Sequence, residues 1–317
     1  MIPFKVLVRC ITYNHSKYIG EAMDGFCMQQ TDFPFVCVIV DDASTDGEQD
    51  VIRDYLQINF DLGESNGMQT EVTDDYISVF ARHKTNTNCF FEVFFLKNNH
   101  YQVGKSKAIY FDKLAEGVKY IAICEGDDYW IDSMKLQKQV DFMDSHAEHS
   151  LCFCAHKNLF PSGELAIENR YEKNVEQCPM KDIILGGGGY MATNSMLYRQ
   201  SLYVTYQSWA VGCPVGDLPM MLSLSHKGKV GFLADVMCVY RRSAVGSWST
   251  RMASSLKTRR RHYRAVNKMW HQFDAWSGNQ YHDIVLQKIR KNQTLHLKDE
   301  LSTLKNLFLK NESAYSG

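Results

Sequence analysis

The stretch Tyr120-Ile-Ala-Ile-Cys-Glu-Gly-Asp-Asp-Tyr-Trp130 decides the reading of this chain. Its apolar run, Tyr120 to Cys124, is bounded by a charge and a glycine and predicts a short, fully buried strand. Three carboxylates follow within four positions: Glu125, Asp127 and Asp128, around Gly126. Carboxylates packed so tightly repel one another unless a cation sits among them. They stand at the carboxyl end of a predicted parallel strand, where open α/β sheets place their ligands. Two readings follow: a divalent-metal site for a phosphorylated ligand, or an acidic turn in which Asp128 caps the next helix.

Upstream, the same strand-then-polar-loop unit occurs twice. Val6 to Ile11 reads as a strand running into Thr12-Tyr-Asn-His15. Val36 to Val40 reads as a second, running into Asp41-Asp-Ala-Ser-Thr-Asp46. Between them Ile19, Ala22, Met23, Phe26 and Cys27 repeat at helical spacing. Beyond them Val51, Ile52, Tyr55 and Leu56 do the same, with Asp46 as N-cap. The order βαβα implies parallel strands joined by crossover helices. From about Phe60 to Cys89 the pattern weakens and predicts a solvated insertion, with a short helix over Asp74 to Ala81. Phe91 to Leu96 resumes as a strand, and Gly104, Lys105 and Lys107 open a helix carrying Ala108, Phe111, Ala115 and Val118 inward.

Downstream, Lys135 to Ser145 predicts a helix and Leu151 to Ala155 a strand, followed by an irregular stretch, His156 to Gln177. Asp182 to Leu185 is a helical turn running into Gly186 to Gly189, and Asp217 to Ser225 a helix. Ser195 to Tyr198, Lys229 to Leu233 and Val236 to Tyr240 read as short strands. Two apolar stripes, Val266, Met269, Trp270, Phe273 and then Leu297, Leu301, Leu304, Phe308, make the C-terminus helical.

Composition narrows the class. The 317 residues are 45% apolar and 22% charged, as in an ordinary globular protein. A net charge of −1 gives no electrostatic case for nucleic acid. Ten cysteines without a CxxC argue against zinc and for small buried thiols in a reducing cytoplasm. Met1 to Cys10 is too short and too quickly interrupted for a signal peptide, and no apolar run approaches the roughly 18 residues of a membrane span. The expected location is cytoplasmic, with any membrane contact peripheral.

Asp41 or Asp42, at a strand end, suits the imide N–H of a uracil or thymine, while Ser44 to Asp46 reads as a turn into a helix. Tyr13 suits stacking on a base and Asn14 bonding its edge; both are also ordinary turn formers. Neither GxGxxG nor GxxxxGK follows the first strand, which argues against dinucleotide binding and a P-loop. A receiver-domain phosphoacceptor is disfavoured by the length of the chain.

Ile-Thr-Tyr-Asn (11–14), Val-Asp-Asp-Ala-Ser-Thr-Asp (40–46) and Cys-Glu-Gly-Asp-Asp-Tyr-Trp (124–130), in this order, resemble the family 2 glycosyltransferases of GT-A fold, bacterial surface-polysaccharide type. Lys135-Leu-Gln-Lys-Gln-Val140 is similar to the same group, and the likeness covers about residues 4 to 245. It implies an α/β fold with a mostly parallel nucleotide-binding sheet flanked by helices. A glycosyltransferase domain would span residues 1–245, with an insertion at about 60–89, and a helical extension 246–317. It implies a hexosyltransferase-like enzyme taking a nucleotide-sugar donor, UDP-sugar favoured, with Mn²⁺ or Mg²⁺ as cofactor. The acceptor would be a saccharide or a lipid-linked saccharide. Thr12, Tyr13, Asn14, Asp41, Asp42, Lys105, Glu125 and Asp127 would contact the donor. Glu125-Gly-Asp127 takes the place of a DXD motif, its first Asp replaced by Glu, with Asp127 and Asp128 on the metal.

The resemblance also places Asp217, in Gly216-Asp-Leu-Pro219, as the base that deprotonates the acceptor. An Asp just before a Pro is equally a normal helix start. Gly186 to Gly189 is either a close-approach loop for sugar or a flexible turn, and Thr193 to Ser195 offers hydroxyls to the acceptor side. Tyr240 to Trp248 resembles a segment that folds over the diphosphate, without the His common there; Arg241 or Arg242 would supply charge instead. Lys257, Arg259, Arg260, Arg261 and Arg264 form a basic cluster, either a solvated helix face or a peripheral contact with anionic lipid. Two rival functions are a non-catalytic nucleotide-sugar binding module and a sugar-phosphate nucleotidyltransferase. The second lacks its Gly-rich, cationic N-terminal loop at residues 9 to 18.

Overall fold

The structure is a computed structural model that describes residues 3–63, 69–202, 208–243 and 255–315. Two compact units emerge: residues 1–178, 191–205 and 227–244 in the first, and 179–190, 206–226 and 245–317 in the second.

The first unit is a mixed sheet whose centre is parallel. β1 (Val6–Thr12), β2 (Phe35–Asp41), β6 (Cys89–Leu96) and β7 (Tyr120–Ile123) lie in the order β6-β2-β1-β7, all parallel. β2 and β7 are buried along their whole length, which is why they read as continuous apolar runs. α1 (Ile19–Cys27), α2 (Glu48–Asn59) and α3 (Ile109–Ala115) are the intervening helices. α1 sets Ile19, Ala22, Met23 and Phe26 into the core, where Phe26 meets the Trp130 ring edge-on at 5.0 Å.

One flank of the sheet is antiparallel and the other is mixed. The short helix expected over Asp74 to Ala81 is a strand instead. β3 (Phe60–Asp61), β4 (Gln69–Val72) and β5 (Tyr76–His83) form an antiparallel edge against β6. The sequence hid them because β5 is half-buried without clean alternation and β4 is wholly exposed. On the other side come β8 (Tyr129–Trp130), α4 (Lys135–Ser145), β9 (His149–Leu159) and β10 (Leu165–Glu168). Here the irregular reading of 156–177 is corrected for its first part, because β9 continues to Leu159 and turns back as β10, while residues 169–177 are irregular as expected. β11 (Leu197–Arg199) bridges β7 and β9. Lys229 to Leu233 and Val236 to Tyr240 are one strand, β12 (Lys229–Arg241), irregular in register between Leu233 and Val236.

The second unit is helical. α5 (Met180–Gly186) runs into a 3₁₀ turn at Gly187–Gly189, and α6 (Asp217–Lys227) leads back to the sheet. α7 (Leu256–Trp276) and α8 (His282–Tyr315) form an antiparallel pair, tied by Arg259 to Asp299 at 2.8 Å and Asn292 to Asn267 at 3.3 Å. Trp209, Phe273, Trp276 and Tyr281 cluster beneath α7. Among the described residues no helix is long and apolar enough to cross a membrane. All ten cysteines are free, eight of them buried.

Candidate active site

The register of the central strands brings three polar loops to one sheet edge. Thr12, the last residue of β1, pairs with Asp41, the last of β2, while Arg9 pairs with Ile123, the last of β7. β1 has one neighbour from each side of the chain's winding, so the crevice beyond its carboxyl end is a topological switch point. The backbone crosses there as well: Asp42 N–H donates to the Thr12 carbonyl at 3.0 Å, and Gly126 N–H to the Ile11 carbonyl at 3.2 Å. A Cβ at Gly126 would stand 2.1 Å from Thr12 Oγ1, so the acidic loop passes the β1 loop where only glycine fits.

Glu48, absent from the sequence candidates, knits the first two loops together. It is fully buried at the start of α2 and accepts from Thr12 Oγ1, from His15 N–H at 2.8 Å and from Ser44 Oγ at 2.8 Å. Burial raises its carboxyl pKa, against the pull of these donors. Asn14 completes the link: its N–H donates to Ser44 Oγ at 2.9 Å, and its Oδ1 accepts from Thr45 N–H at 2.8 Å. Asn14 and Ala43 both take positive φ, 58° and 60°, a conformation Asn tolerates and Ala does not favour. Asp46 accepts from Glu48 N–H at 3.1 Å and from Ser16 N–H at 3.0 Å, but the N-cap of α2 is Gly47 and not Asp46, because the helix begins one residue later than the sequence implied. Tyr13 is half-buried between these partners.

Asp41 and Asp42 differ in what they leave open. Asp42 is buried and accepts from His100 N–H at 2.7 Å, Tyr101 N–H at 3.2 Å and Lys107 Nζ at 2.8 Å. Asp41 uses Oδ1 for Ser44 N–H at 3.1 Å and Gln49 Nε2 at 2.6 Å. Its Oδ2 is buried with no hydrogen-bond partner among the described residues. Desolvation pushes its carboxyl pKa up. Lys105, a sequence candidate, reaches Asp75 at 2.8 Å on the exposed edge; Lys107 is the lysine that enters the site.

On the other side of β1, Glu125 accepts from Thr193 Oγ1 at 3.0 Å. Asp127 is half-buried, with Oδ2 3.9 Å from His15 Nε2. Asp128 is buried and turned toward β12, where Oδ1 accepts from Arg241 N–H at 2.7 Å. Its carboxyl is held well above the ordinary range by burial first and then by the neighbouring Asp127. Arg241 closes the loop from outside: its Nε donates to the Asp127 carbonyl at 2.8 Å, its Nη2 to Glu21 at 2.8 Å, and it lies 4.4 Å from the Tyr18 ring centre. Arg242 is held by Asn158 at 2.7 Å. The rest of the Tyr240 to Trp248 segment, from residue 244, lies outside the described residues.

An all-oxygen donor set suits a hard divalent cation. Among the described residues no three acidic, His or Cys side chains converge as a cage. The residues fit an ion held by Asp127, with Asp128 behind it, that takes its other ligands from phosphate and water, the usual habit of Mg²⁺.

Asp217 belongs to the second unit, as the first residue of α6. Its Oδ1 accepts from the N–H of the next residue, Leu218, at 2.8 Å. It is half-buried, and desolvation raises its carboxyl pKa. Gly187 of the glycine run has φ 62°, and an added Cβ there would meet Lys288 Nζ at 2.7 Å.

Residues 8–68 match the sequence model of glycosyl transferase family 2. An uncharacterized protein of Mycobacterium tuberculosis is 31% identical over 240 residues, 75% of this chain and 59% of its own length. TuaG of Bacillus subtilis, provisionally assigned to teichuronic acid biosynthesis as a glycosyltransferase, is 30% identical over 145 residues, 45% of this chain and 44% of its own. The chain thus spans less than two thirds of these relatives. Among solved structures, Staphylococcus aureus TarS 1–349 in complex with UDP-GlcNAc superposes with a TM-score of 0.55 at 16% identity, over 85% of this chain and 66% of that one.

Proposed function

We propose that this member of glycosyl transferase family 2, built on a GT-A fold, moves a sugar from a nucleotide-diphosphate donor to an acceptor hydroxyl with inversion. A UDP-sugar is the donor we favour, and a saccharide or lipid-linked saccharide of a surface polymer the acceptor. The observation that carries the reading is the convergence of the 12–14, 41–46 and 125–128 loops at the ends of three adjacent parallel strands. The UDP-GlcNAc bound to TarS and the polymer assigned to TuaG support the choice of donor and acceptor.

In this mechanism Asp41 accepts the uracil imide N–H at its free Oδ2, and Tyr13 lies against the base. Asp42, locked by Lys107 and two backbone N–H groups, fixes the loop that receives the ribose. Asp127, with Asp128, would hold Mn²⁺ or Mg²⁺, which would supply neutralisation of the charge building on the diphosphate leaving group. Glu125 takes the first place of the DXD pattern and orients toward the ribose. Asp217 removes the acceptor's hydroxyl proton as that oxygen attacks the anomeric carbon opposite the leaving group, and keeps the proton on its carboxyl. On this reading, residues 1–245 are the catalytic part and 246–317 an extension to it.

Asp217→Asn tests the base. Transfer should fall by about 10²- to 10⁴-fold with donor affinity unchanged. The carboxylate is the active form and its pKa is raised. Wild-type kcat/KM should therefore fall as pH drops through a value above the ordinary Asp range, and this limb should vanish in the variant. Equal transfer rates in the two proteins would remove Asp217 from the role.

A further inference from the structure

We propose that the solvent face of the α7–α8 hairpin is a docking surface for a membrane rich in anionic phospholipid. Along α7, Lys257, Arg261, Arg264 and Lys268 recur at spacings of four, three and four, which aligns them on one side of the helix. All four are exposed, and exposed His271 and Ala275 continue the same line. The other faces of α7 are committed. Met269, Trp270 and Phe273 are buried, and Arg259 and Arg260 pair across the hairpin with Asp299 and Glu300. Among the described residues the hairpin's salt bridges are these two, His282 with Asp274 and His296 with Glu300; the four stripe cations are in none of them, although Arg264 acts on Glu300 through space.

α8 adds charge and, with it, grease. Arg290, Lys291 and Lys298 are exposed on the side away from its seam with α7. On that same side Leu297 and Leu301, one helical turn apart, are 59% and 65% exposed. Across residues 256–302 ten Lys and Arg face four Asp and Glu, although the whole chain carries −1. The positive charge is therefore a local feature of this hairpin and not a property of the protein at large.

The combination selects the partner. Cations alone would serve any polyanion, but a soluble polyanion leaves the leucines in water. A bilayer surface takes both: phosphate headgroups meet the Lys and Arg stripe, and Leu297 and Leu301 enter the headgroup–acyl boundary. Each stripe cation is expected to contribute about fivefold to partitioning, so losing four should cost about two orders of magnitude or more. This inference is independent of the proposed transfer chemistry, because none of these residues belongs to the donor loops or to Asp217.

The test is co-flotation of the purified full chain with vesicles of phosphatidylglycerol and phosphatidylcholine, and with pure phosphatidylcholine vesicles. Wild type should float with the anionic vesicles only, and less as salt rises. K257Q/R261Q/R264Q/K268Q should lose at least about a hundredfold of that partitioning, and single replacements about fivefold each. Leu297→Ser with Leu301→Ser should weaken binding at high salt, where the charges are screened. The graded single variants keep the test valid if the quadruple variant does not fold. Failure of wild type to float, equal flotation with neutral vesicles, or wild-type partitioning by the charge variants would overturn the proposal. So would binding to soluble polyphosphate that is unaffected by competing anionic vesicles.

Discussion

Asp42, at the end of β2, and Asp127, after β7, flank the same central strand, yet the protein treats them differently. Asp42 is buried and its oxygens are met by two backbone N–H groups and a lysine. Asp127 is half-buried among other acids, with a histidine nitrogen 3.9 Å away. The first arrangement is complete without any ligand and holds a loop in shape. The second is a concentration of negative charge: the carboxyl pKa of Asp128 is raised by burial first and then by Asp127 beside it. A rigid end for the base and an ion-dependent end for the diphosphate is the division of labour this contrast suggests.

The largest effect should come where the two sides touch. Gly126→Ala drives a methyl into Thr12, which is itself fixed by Glu48. It should cost about 3 kcal/mol of stability, at the upper end of overpacking, measured by denaturant unfolding. A loss under about 0.5 kcal/mol would mean the loops yield independently. Next comes Lys107→Met, which removes the lysine paired with buried Asp42 but leaves its two backbone donors. Stability should fall by about 2 kcal/mol and donor KM rise, with the metal dependence of turnover unchanged. A changed metal optimum would show that the two ends are not separate.

The smallest effect concerns Glu92, in the middle of β6. Burial raises its pKa to about 7. The folded state therefore binds a proton that the unfolded state has released, and stability declines as pH rises from about 4.5 to about 7. Glu92→Gln should flatten that slope and stabilise the protein by about 1 kcal/mol at pH 8, read from melting curves across pH. An unchanged slope would contradict the burial argument.

Much of the donor half was legible in the sequence, for a physical reason. β2 and β7 are parallel strands buried on both faces, so they appear as unbroken apolar runs; parallel β1 is interrupted only by Arg9, and the polar residues that end the three form the proposed site loops. β5 was not legible, because a half-wet strand without clean alternation loses the pattern that identifies it. The far half of β9 escaped as well, since His156 and Asn158 are polar yet buried in the strand. Glu48 left a faint local trace, because Thr45-Asp-Gly-Glu48 has the spacing of a capping box. Its actual partners, Thr12 and His15, lie 36 and 33 residues away. Lys107 meets Asp42 from 65 residues away, which is why its neighbour Lys105 looked equally suitable.

The claim at the centre is that a cation on Asp127 docks the donor's diphosphate. Thermal stabilisation of the full chain by UDP, with Mn²⁺ or Mg²⁺ and with EDTA, in wild type and Asp127→Asn, tests it directly. The account predicts a shift in wild type that requires the metal, is lost in Asp127→Asn and survives in Asp217→Asn. A UDP shift of the same size in EDTA, or in Asp127→Asn, would contradict it.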